Sequence, residues 1–321
     1  MILGKFLPPH GGHQYLIDSA RKQVDHLTVI VCSIKREPIP GHWRFEWMKE
    51  LYPDLNVVHL TDENPQEPHE HPRFWEIWTR SIRRFIPEGP DLVFTSEEYG
   101  YELARRLGAR HVLVDIDRSA VPISATEIRE NPFDNWQYIP ECVRPYFVKR
   151  VAIVGPESTG KTTLAEKLAE RFQTLWVPEF ARGYLEEKYA PVSLLISIDD
   201  IEDIARGQAK SEDQLARKAN RLLVCDTDLI TTMIWSEYFL GYCPEWIKQA
   251  AEARSYDLYL LTDIDTPWVA EPQRVGDHLR ADFLRRLQRA LEFRGRAYTL
   301  ISGSYEDRLI EAAQTIERLF S

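Results

Sequence analysis

Residues 155–162 read Gly155-Pro156-Glu157-Ser158-Thr159-Gly160-Lys161-Thr162, with glycines at the two ends of the loop and a lysine and a hydroxyl behind them. Glycines so placed let a loop wrap until its backbone N–H groups face phosphate oxygens, and a helix opening behind the loop adds the positive end of its dipole. Lys161 would reach the β- and γ-phosphates, Thr162 would offer its hydroxyl to Mg²⁺, and Thr163 would continue the same turn. An apolar run, Val151 to Val154, precedes the loop, and Leu164, Leu168, Ala169 and Phe172 share one face of the segment after it. A chance glycine-rich turn lacks that strand and helix in register. The expected ligand is a nucleoside triphosphate.

Two clusters narrow what receives the phosphoryl group. The run Leu222 to Cys225 ends in Asp226-Thr227-Asp228, and the carboxyl end of a buried parallel strand is where ligands bind in an open α/β sheet. Asp226 is the first candidate for holding Mg²⁺ or its waters, while Asp228 reads either as a second ligand-edge carboxylate or as a helix N-cap. Glu179 and Arg182 follow another short strand. Glu179 could accept a proton from an attacking hydroxyl or bind a ribose diol; the alternative is a first-turn Glu favoured by the helix dipole. Arg274 and Arg280 flank Gly276 and Asp277 and resemble a lid that closes on the transferred phosphoryl group.

The chain opens with a second chemical segment, Gly4-Lys5-Phe6-Leu7-Pro8-Pro9-His10-Gly11-Gly12-His13. Imidazoles at a helix start can donate hydrogen bonds to phosphate oxygens as charge builds on phosphorus. A metal site competes as a reading, but His10 and His13 alone supply too few ligands. Residues 123–129 place Ser124, Thr126 and Arg129 at another helix start, where Ser124 and Glu127 also make a capping box. Between these segments, Trp75 and Trp78 sit three apart on an expected helix, either packed in the core or stacked on a flat heteroaromatic ring.

The elements that must carry these residues alternate between strand and helix. Strands are expected at 1–6, 27–32, 56–60, 91–95 and 111–116, then at 150–154, 174–178, 222–226, 257–262 and 297–301, with helices between them such as 160–172 and 306–320. Pro132, Pro140 and Pro145 punctuate the stretch 132–149, which reads as the connection between two parallel sheets. The expectation is therefore two α/β domains in series, residues 1–147 and 148–321, in a chain of 321 residues. Acidic residues outnumber basic ones by 50 to 40, a net charge of −10 that argues against a broad grip on nucleic acid. No apolar run is long enough to cross a bilayer, the four cysteines form no C-x-x-C pair, and the protein is expected to be cytoplasmic with buried free thiols. The first strand has only Met1-Ile2-Leu3 before Gly4, so the natural start is expected upstream.

These motifs resemble a known family. Gly4, Phe6, Pro8, His10, Gly12 and His13 fit G-x-F-x-P-x-H-x-G-H, and residues 123–129 fit I-S-x-T-x-x-R, the paired signature of the nucleotidylyltransferase superfamily. With a phosphate-loop kinase segment behind it, the chain is similar to the NadR-type proteins, which join nicotinamide-mononucleotide adenylyltransferase to ribosylnicotinamide kinase. The likeness runs from Gly4 to about Asp282 and includes Asp117-Arg118-Ser119 and Ser96 to Gly100. It implies a Rossmann-like nucleotidylyltransferase sheet followed by a phosphate-loop kinase sheet. The helix-turn-helix repressor domain of some members is expected to be absent.

The resemblance also implies roles. Gly4, Lys5, Phe6, His10, Gly12 and His13 would bind ATP from one side for adenylyl transfer, and Ser124, Thr126 and Arg129 from the other. Trp75 or Trp78 would stack on nicotinamide. Residues Gly155 to Thr163 would bind ATP for the kinase; Glu179, Arg182 and Asp226 would hold ribosylnicotinamide, and one carboxylate would take the 5′-hydroxyl proton. The implied partners are small molecules: ATP with Mg²⁺, ribosylnicotinamide, nicotinamide mononucleotide and NAD. Nucleic acid and membrane are not expected, and a homo-oligomer stays open. The competing readings are a different nucleotidylyltransferase fused to another nucleoside or nucleotide kinase, and a nucleotide-gated switch with one inactive site. A class I aminoacyl-tRNA synthetase is disfavoured by the acidic charge and the missing K-M-S-K-S pattern.

Overall fold

The computed structural model describes residues 1–189, 196–271 and 276–320. The chain divides into two compact units, Met1–Val143 and Arg144–Ser321. Each is a parallel five-stranded sheet with helices in the crossovers.

In the first unit the order along the chain is β1 (Ile2–Gly4), α1 (Gly11–Arg21), β2 (Thr28–Cys32), α2 (Gly41–Leu51), β3 (Asn56–Leu60), α3 (Phe74–Arg83), β4 (Leu92–Thr95), α4 (Tyr99–Leu107), β5 (Arg110–Leu113) and α5 (Ala125–Glu130). The strands lie side by side as β3-β2-β1-β4-β5. Strand order reverses at β1, the place where a crevice opens beyond the strand ends. The expected strand 1–6 stops at Gly4 because Phe6 takes φ +47 and buries its ring. A Cβ on Gly4 would stand 3.1 Å from that ring, a tight contact that the buried ring would have to relieve. The expected strand 111–116 is likewise cut short at Leu113, before the turn at Asp115 with φ +52.

The second unit runs α6 (Arg144–Phe147), β6 (Lys149–Val154), α7 (Lys161–Arg171), β7 (Leu175–Val177), α8 (Phe180–Tyr189), α9 (Ile198–Lys218), β8 (Leu222–Asp226), α10 (Leu229–Leu240), α11 (Glu245–Ala253), β9 (Leu258–Thr262), α12 (Arg280–Phe293), β10 (Tyr298–Ile301) and α13 (Tyr305–Glu317). Its sheet order is β10-β9-β6-β8-β7. β6 and β8 are covered on both faces, which is why they read as unbroken apolar runs rather than alternating ones. Val151, Ala152 and Ile153 pack against Leu164, Leu168, Leu229 and Ile230 in the two core layers. The register pairs Ile153 with Asp226. That pairing brings the end of the strand before the phosphate loop beside the acidic end of β8.

All four cysteines are buried, and none is in a disulfide. Among the described residues, no helix is long and apolar enough to cross a membrane.

Candidate functional site

In the second unit the loop after β6 wraps as its glycines require. Gly155 takes φ +156 and Gly160 φ +81, and a Cβ on Gly155 would lie 2.1 Å from Thr262 Oγ1. Ser158, which is not a glycine, also takes a positive φ of 57. Its carbonyl accepts hydrogen bonds from Thr266 Oγ1 at 3.0 Å and from Arg280 Nη2 at 3.5 Å. The neighbouring Thr159 carbonyl accepts from Arg308 Nη1 at 2.8 Å, and Arg308 is itself held by Asp265. Loop carbonyls that face these guanidiniums leave the amides to face the other way. Lys161 folds over the loop and donates to the Pro156 carbonyl at 2.9 Å.

A cavity of about 420 Å³ opens on this loop. Gly155 to Thr163, apart from Pro156, line one side; Glu179, Arg182, Gln208, Thr227 and Trp235 are among the residues lining the other. The volume falls within the range of small-ligand sites, which run from roughly 300 to 1,000 Å³. Arg182 forms an ion pair with Glu271 at 3.1 Å. Asp226 is fully buried; its Oδ2 accepts from Thr162 Oγ1 at 2.6 Å, and its Oδ1 has no partner among the described residues. Burial first, then the Glu179 carboxylate, push the Asp226 carboxyl up to about 6, against the pull of Lys161 and the Thr162 hydroxyl. Asp228 caps α10, accepting from Thr231 N at 2.9 Å.

Two of the arginines expected in a lid have different fates. Arg274 lies outside the described residues. Arg280 is corrected: it is 6% exposed, and its guanidinium donates to the Thr266 carbonyl from both terminal nitrogens at 3.0 Å as well as to Ser158. It braces the phosphate loop from behind instead of closing over it, because buried carbonyls at that turn require a donor.

In the first unit His10 caps α1, its Nδ1 accepting from Gly12 N at 3.1 Å. An accepting Nδ1 assigns the proton to Nε2, which leaves Nε2 as a donor. A Cβ on Gly12 would lie 3.0 Å from the His10 ring, so glycine at this place lets the ring seat over the helix start. The His10 and His13 rings are 3.8 Å apart, and Phe6 is 4.9 Å from His13. Burial, then the Arg118 charge, push His10 down to about 4. Burial, His10 and Arg118 hold His13 well below the usual imidazole value. Both rings are therefore neutral near pH 7.

The two motifs of this unit meet through Arg129. Its Nη1 donates to the Leu7 carbonyl at 2.5 Å and its Nη2 to Thr126 Oγ1 at 3.0 Å. Ser124 is engaged in the capping box with Glu127. Lys5 lies 3.5 Å from Glu37, a carboxylate shared with the fully buried Arg44. Trp78 is corrected to a core residue: it is 8% exposed and its indole donates to the Pro65 carbonyl at 2.8 Å, leaving neither face for a ligand. Trp75 is half-buried against the same cluster.

Several site residues escaped the sequence reading. Thr227, at φ +75 with a buried hydroxyl that has no partner among the described residues, lines the cavity between two aspartates already singled out. A β-branched residue with positive φ is a strained outlier. Gln208 sits on the apolar face of α9 with Ile201, Ile204 and Ala205; a polar side chain in that stripe was the available signal. Arg308 and Arg44 gave none, since surface and buried arginines look alike in sequence.

Two outcomes follow. His10 takes a proton at about 4 in the folded protein against roughly 6.5 in an unfolded chain. The unfolded state gains protons first as pH falls below roughly 6.5, so stability is present above that pH and is lost progressively down to about 4. The melting temperature of the first unit should fall from pH 7 to 5, and His10→Asn should flatten that slope. Arg280→Met should raise the KM for ATP in the second unit by roughly 10-fold or more, the worth of a charged hydrogen bond to the loop, with kcat little changed. A fall in kcat at unchanged KM would return Arg280 to the phosphoryl group.

A family model described as an AAA domain matches residues 150–308. The trifunctional NAD biosynthesis/regulator protein NadR of Escherichia coli (strain K12) is 32% identical over 99% of this chain and 82% of its own length. The protein of the same name from Salmonella typhimurium (strain LT2) is 34% identical over 85% of this chain and 71% of its own. A solved NadR protein in complex with NAD and AMP-PNP shares the fold at a TM-score of 0.80, with 24% identity over 99% of this chain and 95% of that one. Another, in complex with NR, gives a TM-score of 0.81 at 24% identity over 99% and 94%. With both phosphate-binding motifs in their strand-to-helix turns and these likenesses spanning the chain, the protein belongs to the NadR family of NAD biosynthesis proteins.

Proposed function

We infer that the second unit phosphorylates ribosylnicotinamide with ATP and that the first joins the product, nicotinamide mononucleotide, to AMP from a second ATP. The observation that carries this reading is the cavity in which the phosphate loop faces Glu179, Arg182 and an apolar wall. A loop with amides turned inward holds the triphosphate, and the opposite wall has room and polarity for a riboside. Family membership names the acceptor.

In the kinase step the riboside 5′-oxygen bonds to the γ-phosphorus, the bond from that phosphorus to the β–γ bridging oxygen breaks, and ADP leaves. Phosphoryl transfer depends mainly on positioning and charge neutralisation. Lys161 meets the charge on the β- and γ-oxygens, and the amides of 155–162 hold the chain of phosphates in line. Glu179 orients the 5′-hydroxyl and accepts its proton, while Arg182, steadied by Glu271, holds the acceptor side. Thr162 and Asp226 fit the environment of Mg²⁺, since Asp226 keeps a buried carboxylate oxygen without a partner beside the Thr162 hydroxyl. When bound, Mg²⁺ neutralises phosphate oxygens.

In the adenylyl step a phosphate oxygen of the mononucleotide bonds to the α-phosphorus of ATP, the bond to the α–β bridging oxygen breaks, and pyrophosphate leaves. His10 donates from Nε2, and His13 lies beside it at the same helix start. Both stabilise charge that develops on the phosphates. Gly4, Lys5, Phe6 and Gly12 shape that turn, and Arg129 with Thr126 and Ser124 closes it from the second motif. We place both reactions in the cytoplasm, where ATP is supplied and thiols stay reduced.

The decisive experiment is mass spectrometry of products from ATP, Mg²⁺ and ribosylnicotinamide; the mononucleotide and NAD should both appear. Lys161→Ala should abolish the first product and spare adenylyl transfer from supplied mononucleotide, whereas His13→Ala should lower adenylyl kcat by roughly 10²–10³-fold. Loss of both activities in folded Lys161→Ala would overturn the two-site reading. Glu179→Gln should keep ATP affinity while kinase kcat falls, and Asp226→Asn should shift the Mg²⁺ dependence. Near-normal turnover by Glu179→Gln would move the proton acceptor to Asp226.

A further inference from the structure

Gln208 carries a side-chain amide whose two ends have different surroundings. The residue is 1% exposed and lines the cavity from α9. Its Oε1 accepts a hydrogen bond from Phe180 N at 2.8 Å. A backbone N–H can only donate, so the oxygen must face Phe180 and the NH₂ must face away. That Nε2 has no hydrogen-bond partner among the described residues. Buried donors without partners are few in folded proteins, because each forfeits its hydrogen bond to water.

The amide is also held in place. A Cβ on the adjacent Gly207 would come within 2.3 Å of the Phe180 ring, so α9 and the start of α8 approach as closely as glycine permits. Phe180 follows Glu179 directly, which ties Gln208 to the carboxylate assigned to the 5′-hydroxyl. The apolar part of the wall comes from Ile201, Ile204, Trp235 and Phe239, and the last two rings stack with centroids 5.4 Å apart. That wall suits the flat base. The sugar must stay near Glu179 and the phosphate loop, since its own 5′-oxygen reacts there.

We propose that Gln208 is a specificity-determining residue of the kinase site, donating from Nε2 to a ring hydroxyl of the acceptor's ribose; this rests on the reading of the cavity as the site for ribosylnicotinamide. A donor of fixed direction accepts a riboside and discriminates against a sugar that lacks the matching oxygen, because the amide would then remain unpaired.

The test is a cycle between residue and ligand, using the full chain with ribosylnicotinamide and its 2′-deoxy and 3′-deoxy analogues. For the wild type, one analogue should show a KM raised by roughly 10-fold or more. Gln208→Met should raise the KM for ribosylnicotinamide by a similar factor, leave the KM for ATP and the adenylyl transfer rate unchanged, and show no further rise with that analogue. A merely structural role for Gln208 would instead make the two penalties multiply, and that result overturns the proposal. So does equal KM for all three acceptors with the wild type, a measurement that stands even if the variant does not fold. Absence of any turnover of ribosylnicotinamide by the wild type would overturn the functional reading itself, independently of Gln208.

Discussion

A loop that offers its N–H groups to phosphate must turn its carbonyls the other way, and buried carbonyls need donors of their own. Both units meet this constraint with arginine. In the second, Arg280 and Arg308 receive the carbonyls of Ser158 and Thr159. In the first, Arg44 donates to the Lys5 carbonyl and Arg129 to that of Leu7. Arginine suits the task because its planar fork can serve several carbonyls at once and stays charged. The guanidiniums come from helices far along the chain, so each phosphate site forms only when its unit has folded around it.

Electrostatics divides the two sites. The first holds its paired imidazoles neutral, by burial and by Arg118. A neutral ring is a directed donor that gains strength as charge develops on phosphorus, without holding the ground state too tightly. The second sets Lys161 near the buried Asp226 and the cavity-lining Glu179, whose charge adds to burial in raising the Asp226 carboxyl.

Strand and loop positions were largely legible because buried parallel strands write themselves as short apolar runs. The expected 222–226 and 56–60 coincide with β8 and β3. Strand ends were less legible where a positive φ intervenes: Phe6 and Asp115 end their strands early, and nothing in their residue types announces it. Trp75 and Trp78 show the other ambiguity. Two tryptophans at helical spacing describe a core face and a ligand platform equally well, and only the packing of α3 assigned Trp78 to the core.

What the sequence determined by itself was local chemistry: a glycine-framed loop before a lysine, a histidine pair at a helix start, carboxylates at the ends of apolar runs, and two sheets in series. These follow from spacing along the chain, since the residues that frame a strand-to-helix turn are sequence neighbours. The tertiary structure decided which distant groups complete each turn. It withdrew Arg280 from the lid, gave Thr162 to Asp226, strained Thr227 and fixed the Gln208 amide oxygen on Phe180 N. Those outcomes depend on sheet register and helix packing, where one residue of slip reverses the direction of a side chain, and no local pattern encodes them.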